Sequence, residues 1–415
     1  MILTVLEHQK INIGNKRDLL KNQISKSDAE IIRIIDLKNN GIFKWGNNYV
    51  APQQWVGVIS FSNFSIEILP KISTEKDANK SKEVLLYMLK VAYDIPTKKN
   101  ISGEVDLVKN GLIEILITNY IKKIEQYVKT GLSHSYKKNI QSTKAIKGSV
   151  DFSRQMNKNI LVPTKFICKY SKLDINNNLN QLIKFVLLEM KKISKDSNNV
   201  RQLSNILLHF RDVETLSREE IAQIKIIFNR NTIRTKEIIE FSKLFIDGQS
   251  ISLNSGEHRV DSLLFDMNKI FELYIFKCCK KLFGNNVLFQ NKKYYLLENK
   301  NNGNKKILLK PDILIKDDKD GDVIIDTKWK IINSFAKESD IYQMNAYLSG
   351  IPKSKIAMLI YPQIINSKSI IGEYNILDSS ENKKIFIQEV DLSTVTDNVV
   401  FTEHLKDIII KSRSY

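Results

Sequence analysis

The chain has 415 residues, of which 42% are hydrophobic, and its 64 Lys and Arg against 46 Asp and Glu give a formal net charge of +18. At ~100–200 residues per domain, this length predicts two or three domains, and the hydrophobic content excludes a wholly disordered chain. The low content of Gly and Pro, 15 and 7 residues, excludes a collagen-like or linker-dominated architecture. The positive charge favours a polyanionic partner, most often a nucleic acid, although any basic protein from a Lys- and Asn-rich proteome would show the same balance.

The positive charge is concentrated in the middle of the chain. Residues 1–75 carry 9 basic and 7 acidic side chains, a net charge of +2, and residues 256–415 carry 24 and 21, a net charge of +3. Residues 76–255 carry 31 basic and 18 acidic side chains, which gives a net charge of +13. The surplus is densest from Lys122 to Lys172, where twelve Lys and Arg stand against two acidic residues. We therefore expect a localised basic surface.

Cysteine content and the hydrophobic pattern favour an intracellular protein. The three cysteines, Cys168, Cys278 and Cys279, are too few for a disulfide framework in a chain of this size. The N-terminus lacks the basic segment of a secretory signal and reaches an acidic residue, Glu7, early. No apolar run approaches the ~18 residues of a membrane-spanning helix, so the sequence predicts a soluble, cytoplasmic chain.

Residues 1–75 predict a β-rich N-terminal part. Between Ile42 and Ile72, apolar residues alternate around Gly and Asn turns, a pattern typical of short hairpins. Ahead of these hairpins, a short helix is predicted from Ser27 to Leu37. Its N-cap would be Ser27, because Glu30 lies at the capping-box position three residues later.

Residues 76–255 predict a basic, mainly helical middle domain. Apolar residues recur at helical spacing in segments that begin near Ser81, Leu112, Leu179 and Val200. Between these helices, we expect the basic stretch from Lys137 to Lys172 to be irregular. A further segment, from Ile238 to Ile251, leads to Asn254-Ser255-Gly256, the predicted boundary of the last domain.

Residues 256–415 predict a C-terminal domain built around a sheet. An apolar stripe predicts a helix from about Leu263 to Phe283. Strand-like segments and one helix follow at Val287–Phe289, Tyr294–Leu297, Ile307–Ile315, Val323–Ile332, about Asp340–Leu348 (the helix) and Ile356–Tyr361. Helices and strands that alternate around an apolar centre indicate an α/β or α+β domain. The whole chain is therefore predicted to be an α+β multidomain protein.

Two neighbouring strands of this last domain carry the residues with the clearest chemistry. Pro311-Asp312 is followed, after a turn that contains Asp320-Gly321, by a strand with Asp326 and Lys328. Asp-Gly favours a hairpin, which folds the first strand back and brings Asp312 beside Asp326. Asp326 and Lys328 are two residues apart and point to the same face of their strand. Two carboxylates and an ammonium group are thus predicted to converge at the end of an apolar sheet.

This trio suits the hydrolysis of a phosphodiester bond. Asp312 and Asp326 would bind Mg²⁺ through hard carboxylate oxygens, and the metal would lower the pKa of bound water and stabilise charge on the scissile phosphate. Lys328 would orient the attacking water and offset developing negative charge. The alternative is two ordinary exposed acids and a surface lysine beside a hairpin. An unpaired carboxylate inside an apolar strand is costly, which favours the functional interpretation.

The same residues resemble the signature of the PD-(D/E)xK nuclease superfamily, in which Pro311-Asp312 is followed by Asp326-Thr327-Lys328. Gln343 and Tyr347 lie one turn apart on a predicted helix, which is similar to the Gln-x-x-x-Tyr element of the RecB-like branch. Glu272 matches the position at which many members carry an additional acidic residue. The resemblance implies an α/β nuclease domain with a mixed central sheet, metal ligands Asp312 and Asp326, and catalytic roles for Lys328, Gln343 and Glu272. A solvated Glu272 and a core aromatic Tyr347 remain the alternatives.

Four segments ahead of this motif narrow the resemblance to the McrC family, the nuclease subunits of McrBC-type, 5-methylcytosine-specific restriction systems. In chain order they are Ser65–Ile72, Gly148–Arg154, Cys168–Tyr170 leading to Asn180, and Met267–Glu272. The resemblance implies a Mg²⁺-dependent DNA endonuclease whose residues 1–75 enter the central pore of McrB, a hexameric AAA+ GTPase, and stimulate its GTP hydrolysis. The partner would bind the GTP and recognise the double-stranded DNA, and this chain would cut it. Dimerisation through the nuclease domain is left open.

The basic residues of the middle region have more than one interpretation. Lys137, Lys138, Lys144, Lys147 and Arg154 are interleaved with aromatic residues and fit a surface that tracks the phosphate backbone of DNA. They also fit docking to an acidic face of the partner ring. A simply solvated surface is the third interpretation.

Two other classes of function fit parts of the sequence. The chain has no Gly-x-x-x-x-Gly-Lys-[Ser/Thr] segment, so any dependence on GTP would come from a partner, and its five histidines show no zinc-like spacing. The β-rich N-terminal part and the basic middle would suit a non-catalytic adaptor that regulates an AAA+ ring. The nuclease motif by itself would suit a stand-alone RecB-like repair nuclease.

Overall fold

A computed structural model describes most of the chain. The described residues are 1–38, 41–72, 78–95, 111–158, 164–224, 226, 235–255, 258–319, 321–330, 335–363, 371–377 and 382–413. Their contacts form two compact units, of which the first comprises Met1–Ile115 and Asp247–Tyr415 and the second Leu116–Ile246. Within the described part, no helix is long and apolar enough to cross a membrane.

The N-terminal segment of the first unit contains seven short strands and two helices among its described residues. The strands are β1 (Ile2–Leu6), β2 (Ile11–Gly14), β3 (Gln23–Ser25), β4 (Phe43–Trp45), β5 (Tyr49–Pro52), β6 (Trp55–Ser60) and β7 (Ser65–Leu69). The helices are α1 (Lys26–Lys38) and α2 (Ala78–Ala92), and a 3-10 turn lies at Leu19–Lys21. Strands pair antiparallel in the β4–β5 and β6–β7 hairpins, which confirms the hairpins predicted between Ile42 and Ile72.

The start of helix α1 differs from the predicted one. The Ser25 N–H donates to Asp28 Oδ2 (3.1 Å), and the Asp28 N–H donates to Ser25 Oγ (3.2 Å). These reciprocal bonds make a capping box from Ser25 and Asp28 instead of Ser27 and Glu30. Asp28 is held there because its carboxylate also accepts two hydrogen bonds from Arg17, at 2.9 and 2.6 Å.

The second unit combines amphipathic helices with one exposed sheet. Its helices are α3 (Leu112–Thr130, which begins in the first unit), α4 (Phe152–Lys158), α5 (Asn178–Ile193), α6 (Ser197–Leu207, followed by a 3-10 turn at Leu208–Phe210), α7 (Arg218–Gln223) and α8 (Lys236–Asp247). Its strands are β8 (Ser135–Thr143), β9 (Ser149–Val150) and β10 (Phe166–Asp174), in the order β8-β10-β9. Tyr120 and Phe241 pack edge to face, 5.2 Å apart, between α3 and α8. The helices predicted to begin near Leu112, Leu179 and Val200 are confirmed.

The stretch from Lys137 to Lys172 contains a long antiparallel ribbon, so the prediction of an irregular segment was wrong. Strands β8 and β10 pair without interruption from Ser135, opposite Asp174, to Thr143, opposite Phe166. Seven of the nine residues of β8 are exposed. A strand that is exposed on both faces has no alternation of apolar and polar residues, and that alternation is the signal by which a strand is predicted.

The C-terminal segment of the first unit carries the candidate site. Its strands are β11 (Gln249–Ser255), β12 (His258–Asp266), β13 (Val287–Phe289), β14 (Tyr294–Glu298), β15 (Lys305–Leu309), β16 (Ile313–Ile315), β17 (Asp322–Thr327), β18 (Ser354–Gln363), β19 (Gly372–Asn375) and β20 (Lys384–Asp391). Its helices are α9 (Met267–Phe283), α10 (Glu338–Gly350) and α11 (Asn398–Arg413), with 3-10 turns at Gly284–Asn286 and Leu392–Thr394.

Strand β12 joins the two chain segments of the first unit. It pairs antiparallel with both β11 and β6, in a five-stranded sheet of order β1-β7-β6-β12-β11. The predicted boundary between residues 255 and 256 therefore falls between two paired strands. Residues 263–266, predicted to be helical, belong to β12, and α9 begins at Met267 with Asp266 as its N-cap. Because this sheet is shared, the contacts divide the chain differently from the predicted parts 1–75, 76–255 and 256–415.

A second sheet of the first unit positions the site. Its strand order is β13-β16-β17-β18-β20-β19. Strand β17 pairs antiparallel with β16 and parallel with β18, so the sheet is mixed. One face is apolar and covered by α10, through buried residues such as Ile324, Met344 and Leu359. Helices and mixed sheets together confirm the predicted α+β class.

Candidate active site

The two predicted motif strands pair side by side and end at the same edge of the mixed sheet. Ile313 lies opposite Ile325 in the antiparallel pair, which places Asp312 next to Asp326. The segment Ile307–Ile315, predicted as one strand, is interrupted at Lys310-Pro311-Asp312. Proline has no backbone N–H and cannot extend a ladder of hydrogen bonds. Asp312 therefore precedes β16 and lies at the end of the sheet.

Asp312 is held by the residue that follows Asp326. Its Oδ2 accepts hydrogen bonds from the backbone N–H of Thr327 (2.8 Å) and from the Thr327 hydroxyl (3.0 Å). Burial raises the pKa of Asp312, although these two hydrogen bonds and the charge of Lys328 oppose the shift. The carboxylate is thus fixed in orientation.

Asp326 and Lys328 form an ion pair at this edge. Asp326 is 1% exposed, and its Oδ2 lies 2.6 Å from Lys328 Nζ. Burial and the neighbouring Asp312 raise the pKa of Asp326 to about 7, against the opposing effect of Lys328. Burial alone would lower the pKa of Lys328, but Asp326, Asp312 and Asp340 outweigh it and raise that pKa. Lys328 therefore stays protonated while the acid beside it is poised near neutrality.

Helix α10 contributes two side chains that orient Lys328. Lys328 Nζ donates to Gln343 Oε1 (3.0 Å), and Gln343 Nε2 donates to the Tyr347 hydroxyl (2.8 Å). The Tyr347 hydroxyl in turn donates to the carbonyl of Lys310 (2.9 Å), just ahead of Asp312. Tyr347 is buried and also belongs to this chain of hydrogen bonds, so its packing role and its polar role coexist.

Glu272, on helix α9, faces Asp312. The two carboxyl groups perturb the pKa of each other, and Glu272 Oε1 accepts a hydrogen bond from Gln290 Nε2 (2.8 Å). Burial and the charge of Asp312 raise the pKa of Glu272 to about 7. Glu272 is therefore a member of the cluster instead of a solvated glutamate.

The donor set fits Mg²⁺. Among the described residues, no three His, Cys, Asp or Glu side chains form a ready metal cage. Mg²⁺ needs no such cage, because it is usually held by one or two carboxylates, with waters and substrate phosphates completing its shell. Oδ2 of Asp326 is buried and, within the described part of the chain, receives no hydrogen bond of regular geometry beside its ion pair. A buried carboxylate needs a positive charge beside it, and Lys328 Nζ supplies that charge at 2.6 Å.

Two contributors to this cluster were not predicted from the sequence. Thr327 alternates with Asp326 and Lys328 along the strand, yet its hydroxyl reaches Asp312 from the strand end. Asp340, in the first turn of α10, accepts from Lys330 Nζ at 3.2 and 3.3 Å and from the Tyr361 hydroxyl at 3.4 Å. No spacing in the sequence links these residues, which come from three elements, so no sequence pattern pointed to their contacts.

The predicted basic residues lie in the second unit, whereas the motif residues lie in the first. Lys137 and Lys138 are exposed on β8, and Lys144 and Lys147 are exposed in the turn that follows it. Arg154 is exposed on α4 but is tied to the buried Asp151, with 3.5 Å between Arg154 Nε and Asp151 Oδ2. The structure thus gathers the basic residues around one exposed ribbon, in which Arg154 also has a structural contact.

This chain matches a known protein family in sequence and resembles solved structures in fold. No curated protein matches it. Its structure is similar to a chain of the half-complex from the tetradecameric assembly of Thermococcus gammatolerans McrB AAA+ hexamers with bound McrC, at 19% identity, over 98% of this chain and 100% of that chain, with a TM-score of 0.59. A chain of the Thermococcus gammatolerans McrBC complex shares 19% identity over 67% of this chain and 87% of that one, with a TM-score of 0.48. The first of these likenesses shows a common fold.

The sequence itself carries the assignment of the family. Residues 50–362 match the family described as McrBC 5-methylcytosine restriction system component. This match includes the N-terminal hairpins from β5 on, the basic ribbon and the Asp312, Asp326 and Lys328 cluster. Because this match spans most of the chain, the chain belongs to the McrBC 5-methylcytosine restriction system component family.

Proposed function

We propose that the chain is the Mg²⁺-dependent DNA endonuclease subunit of a GTP-driven restriction complex. The observation that carries the proposal is the convergence of Asp312, Asp326 and Lys328 at one end of the mixed sheet, with the ion pair from Lys328 to Asp326 at 2.6 Å. Membership of the McrBC family supplies the biological setting, and the donor chemistry supplies the reaction type.

Each residue of the cluster has a defined task in this proposal. Asp312 and Asp326 would hold Mg²⁺, which when bound activates water and stabilises charge on the phosphate. Thr327 fixes the orientation of Asp312, and Gln343 fixes that of Lys328. The ammonium group of Lys328 is then placed to orient the attacking water and to offset negative charge at the phosphate oxygens. Glu272, with its raised pKa, is suited to accept or hold a proton beside Asp312 near neutral pH.

The GTP requirement would come from a partner. The sequence contains no P-loop, and the McrC of Thermococcus gammatolerans is bound to McrB AAA+ hexamers. We infer that this chain likewise assembles with a hexameric AAA+ GTPase, with residues 1–75 docking on it and stimulating its GTP hydrolysis. The partner would recognise double-stranded DNA, and this chain, working in the cytoplasm, would cut it.

The proposal is tested by reconstitution of the chain with the AAA+ partner. We expect cleavage of DNA only when chain, partner, Mg²⁺ and GTP are all present, measured on 5-methylcytosine-containing and on unmodified substrates. Robust cleavage by the chain alone would favour a stand-alone repair nuclease. Stimulated GTPase activity without cleavage of either substrate would favour a non-catalytic adaptor.

The basic ribbon offers a separate prediction about how the polyanion is held. If Lys137 and Lys138 each contact a phosphate, the variant Lys137→Glu/Lys138→Glu should bind DNA more weakly and lower the slope of log affinity against log salt by about 2. Fluorescence anisotropy at several salt concentrations measures this. The matched control is Lys191→Glu/Lys192→Glu, an exposed lysine pair at the end of α5.

The same two variants separate the three interpretations of the ribbon. Loss of partner binding with an unchanged salt slope would assign Lys137 and Lys138 to docking on the partner ring. Equal behaviour of the ribbon variant and the control variant in both assays would leave a solvated surface as the explanation.

A further inference from the structure

Trp329, the residue after the candidate catalytic Lys328, is buried at the end of strand β17. Trp329 follows Lys328 and is 8% exposed. Its ring meets that of Phe271 at 64°, with the centroids 5.4 Å apart, and Phe271 precedes Glu272 on α9. The Lys328 N–H donates to the carbonyl of Ile360 on β18 (2.9 Å). Two contacts therefore fix the backbone at Lys328. One is its own hydrogen bond to β18, and the other is the packing of the next residue, Trp329, against Phe271.

The polar end of Trp329 is bound by a residue from the other end of the chain. The indole N–H lies 3.1 Å from each carboxylate oxygen of Glu7. Glu7 is 2% exposed, and its Oε2 also accepts from the backbone N–H of Lys71 (3.2 Å). The adjoining cavity is about 20 Å³, room for roughly one water. Trp329 thus supplies much of the hydrogen bonding that makes the burial of Glu7 tolerable.

Glu7 is in turn built into the N-terminal five-stranded sheet. It follows β1 directly, and its N–H donates to the carbonyl of Leu69 at the end of β7 (2.9 Å). Strands β1 and β7 pair in parallel from Ile2 to Leu6. A movement of this pair therefore moves the carboxylate that holds Trp329.

We propose that Glu7 is a positioning residue that couples the N-terminal sheet to the candidate cutting site through Trp329. In this arrangement the hydrogen bond from Trp329 to Glu7 keeps Lys328 in register with Asp326 and Gln343. A partner that displaces β1 and β7 would move Glu7 and, through Trp329, change how firmly Lys328 is held. The inference rests on the proposed function, since that function assigns docking to residues 1–75 and cutting to the cluster around Lys328.

The coupling is tested by the chemical reactivity of Lys328, which does not depend on DNA cleavage. The full-length chain is treated briefly with acetic anhydride, and the acylation rate of each lysine is measured by mass spectrometry. In Glu7→Leu and Trp329→Phe, the loss of the hydrogen bond between the indole and Glu7 should increase the rate at Lys328 by up to roughly tenfold. Glu7→Gln, which keeps an acceptor for the indole, should restore most of the protection. Lys316, ion-paired with Asp322 on the same strand pair, serves as internal reference and should not change.

A second indole–carboxylate pair gives a matched control. Trp45 Nε1 donates to Asp36 Oδ2 at 2.7 Å, within the N-terminal part and without contact to the cluster. Trp45→Phe and Asp36→Leu should leave the rate at Lys328 unchanged. In the reconstituted complex, Glu7→Leu and Trp329→Phe should each slow single-turnover cleavage by about 10- to 100-fold, as small displacements of catalytic groups do. The double variant should be no slower than the slower single variant.

The outcomes separate this inference from the proposed function. Unchanged reactivity of Lys328 in both Glu7→Leu and Trp329→Phe, in a complex that cuts DNA, would overturn the coupling and leave the function intact. Suppose instead that Lys328 reacts faster in both variants than in wild type, but the wild-type complex does not cut DNA. That result would support the coupling and overturn the proposed function. If Glu7→Leu does not fold, Trp329→Phe, which keeps an aromatic ring against Phe271, decides the matter alone.

Discussion

Replacement of Asp326 by Asn should abolish DNA cleavage by the reconstituted complex while leaving its assembly and its stimulated GTPase activity intact. Asn keeps the volume of the buried side chain but removes the charge that would hold Mg²⁺. A catalytic metal contributes several kcal/mol of charge stabilisation, so the single-turnover cleavage rate should fall by about 1,000-fold or more. The rate of GTP hydrolysis, measured in the same mixtures, should stay at the wild-type level.

A control on the same strand distinguishes chemistry from folding. Asp322 is also buried on β17 and is ion-paired with Lys316, at the opposite end of the strand from Asp326. Asp322→Asn should retain cleavage, whereas Asp326→Asn should not. Mn²⁺ titration of the isolated chain gives a second readout, because Asp326→Asn should lose binding that Asp322→Asn keeps. An Asp326→Asn complex that still cuts at the wild-type rate would disprove the assignment of the site.

The largest expected effect on stability concerns the pH dependence contributed by Glu7. Burial, with a smaller contribution from Asp266, raises the pKa of Glu7 from 4.5 to about 8, although the hydrogen bonds from Trp329 and Lys71 oppose the shift. Between these two pH values the unfolded chain has released the proton and the folded chain has kept it. The free energy of unfolding contributed by this group therefore decreases as pH rises, by up to about 1.4 kcal/mol per pH unit. It is fully present below pH 4.5 and lost above about pH 8.

Glu7→Gln removes this titration, so wild type should lose stability relative to that variant across the same pH window. Urea unfolding followed by tryptophan fluorescence at several pH values measures the difference. The control is Asp28→Asn. Burial raises the pKa of Asp28, but hydrogen bonds from Arg17 and Ser25 outweigh it and lower that pKa. The stability that the Asp28 carboxylate contributes is lost only in more acidic solution. The free energy of unfolding of Asp28→Asn should therefore run parallel to that of wild type above about pH 5. Parallel curves for Glu7→Gln as well would show that Glu7 ionises normally.

Segments with one buried face were predictable from the sequence. The stripes of α3, α5 and α9 repeat apolar residues at helical spacing, and the hairpins β4–β5 and β6–β7 alternate them at strand spacing. The ribbon of β8 and β10 was missed because the side chains of β8 are mostly exposed on both faces. The boundary at residue 255 was misplaced because Asn254-Ser255-Gly256, which looks like a linker by composition, lies between strands that pair with each other.

The candidate site was predictable where its members are close in sequence. Asp312 and Asp326 meet because a hairpin joins their strands, and Gln343 and Tyr347 share a face one helical turn apart. The contact between Glu7 and Trp329 spans 322 positions, and no local pattern encodes it. An acidic residue this close to the N-terminus carries no local sign of burial. Only the closure of the five-stranded sheet buries it and brings it to Trp329.

The pairing of β6 with β12 has a consequence for synthesis of the chain. When the ribosome has produced β1, β6 and β7, the edge of β6 has no partner until residues 258–266 emerge, after the whole second unit has been made. Open strand edges are prone to pair with other chains, and contacts between distant segments form slowly. The second unit is one continuous segment, so all of its residues emerge before the first unit is complete. A gene fragment that ends near residue 75 therefore encodes an incomplete sheet.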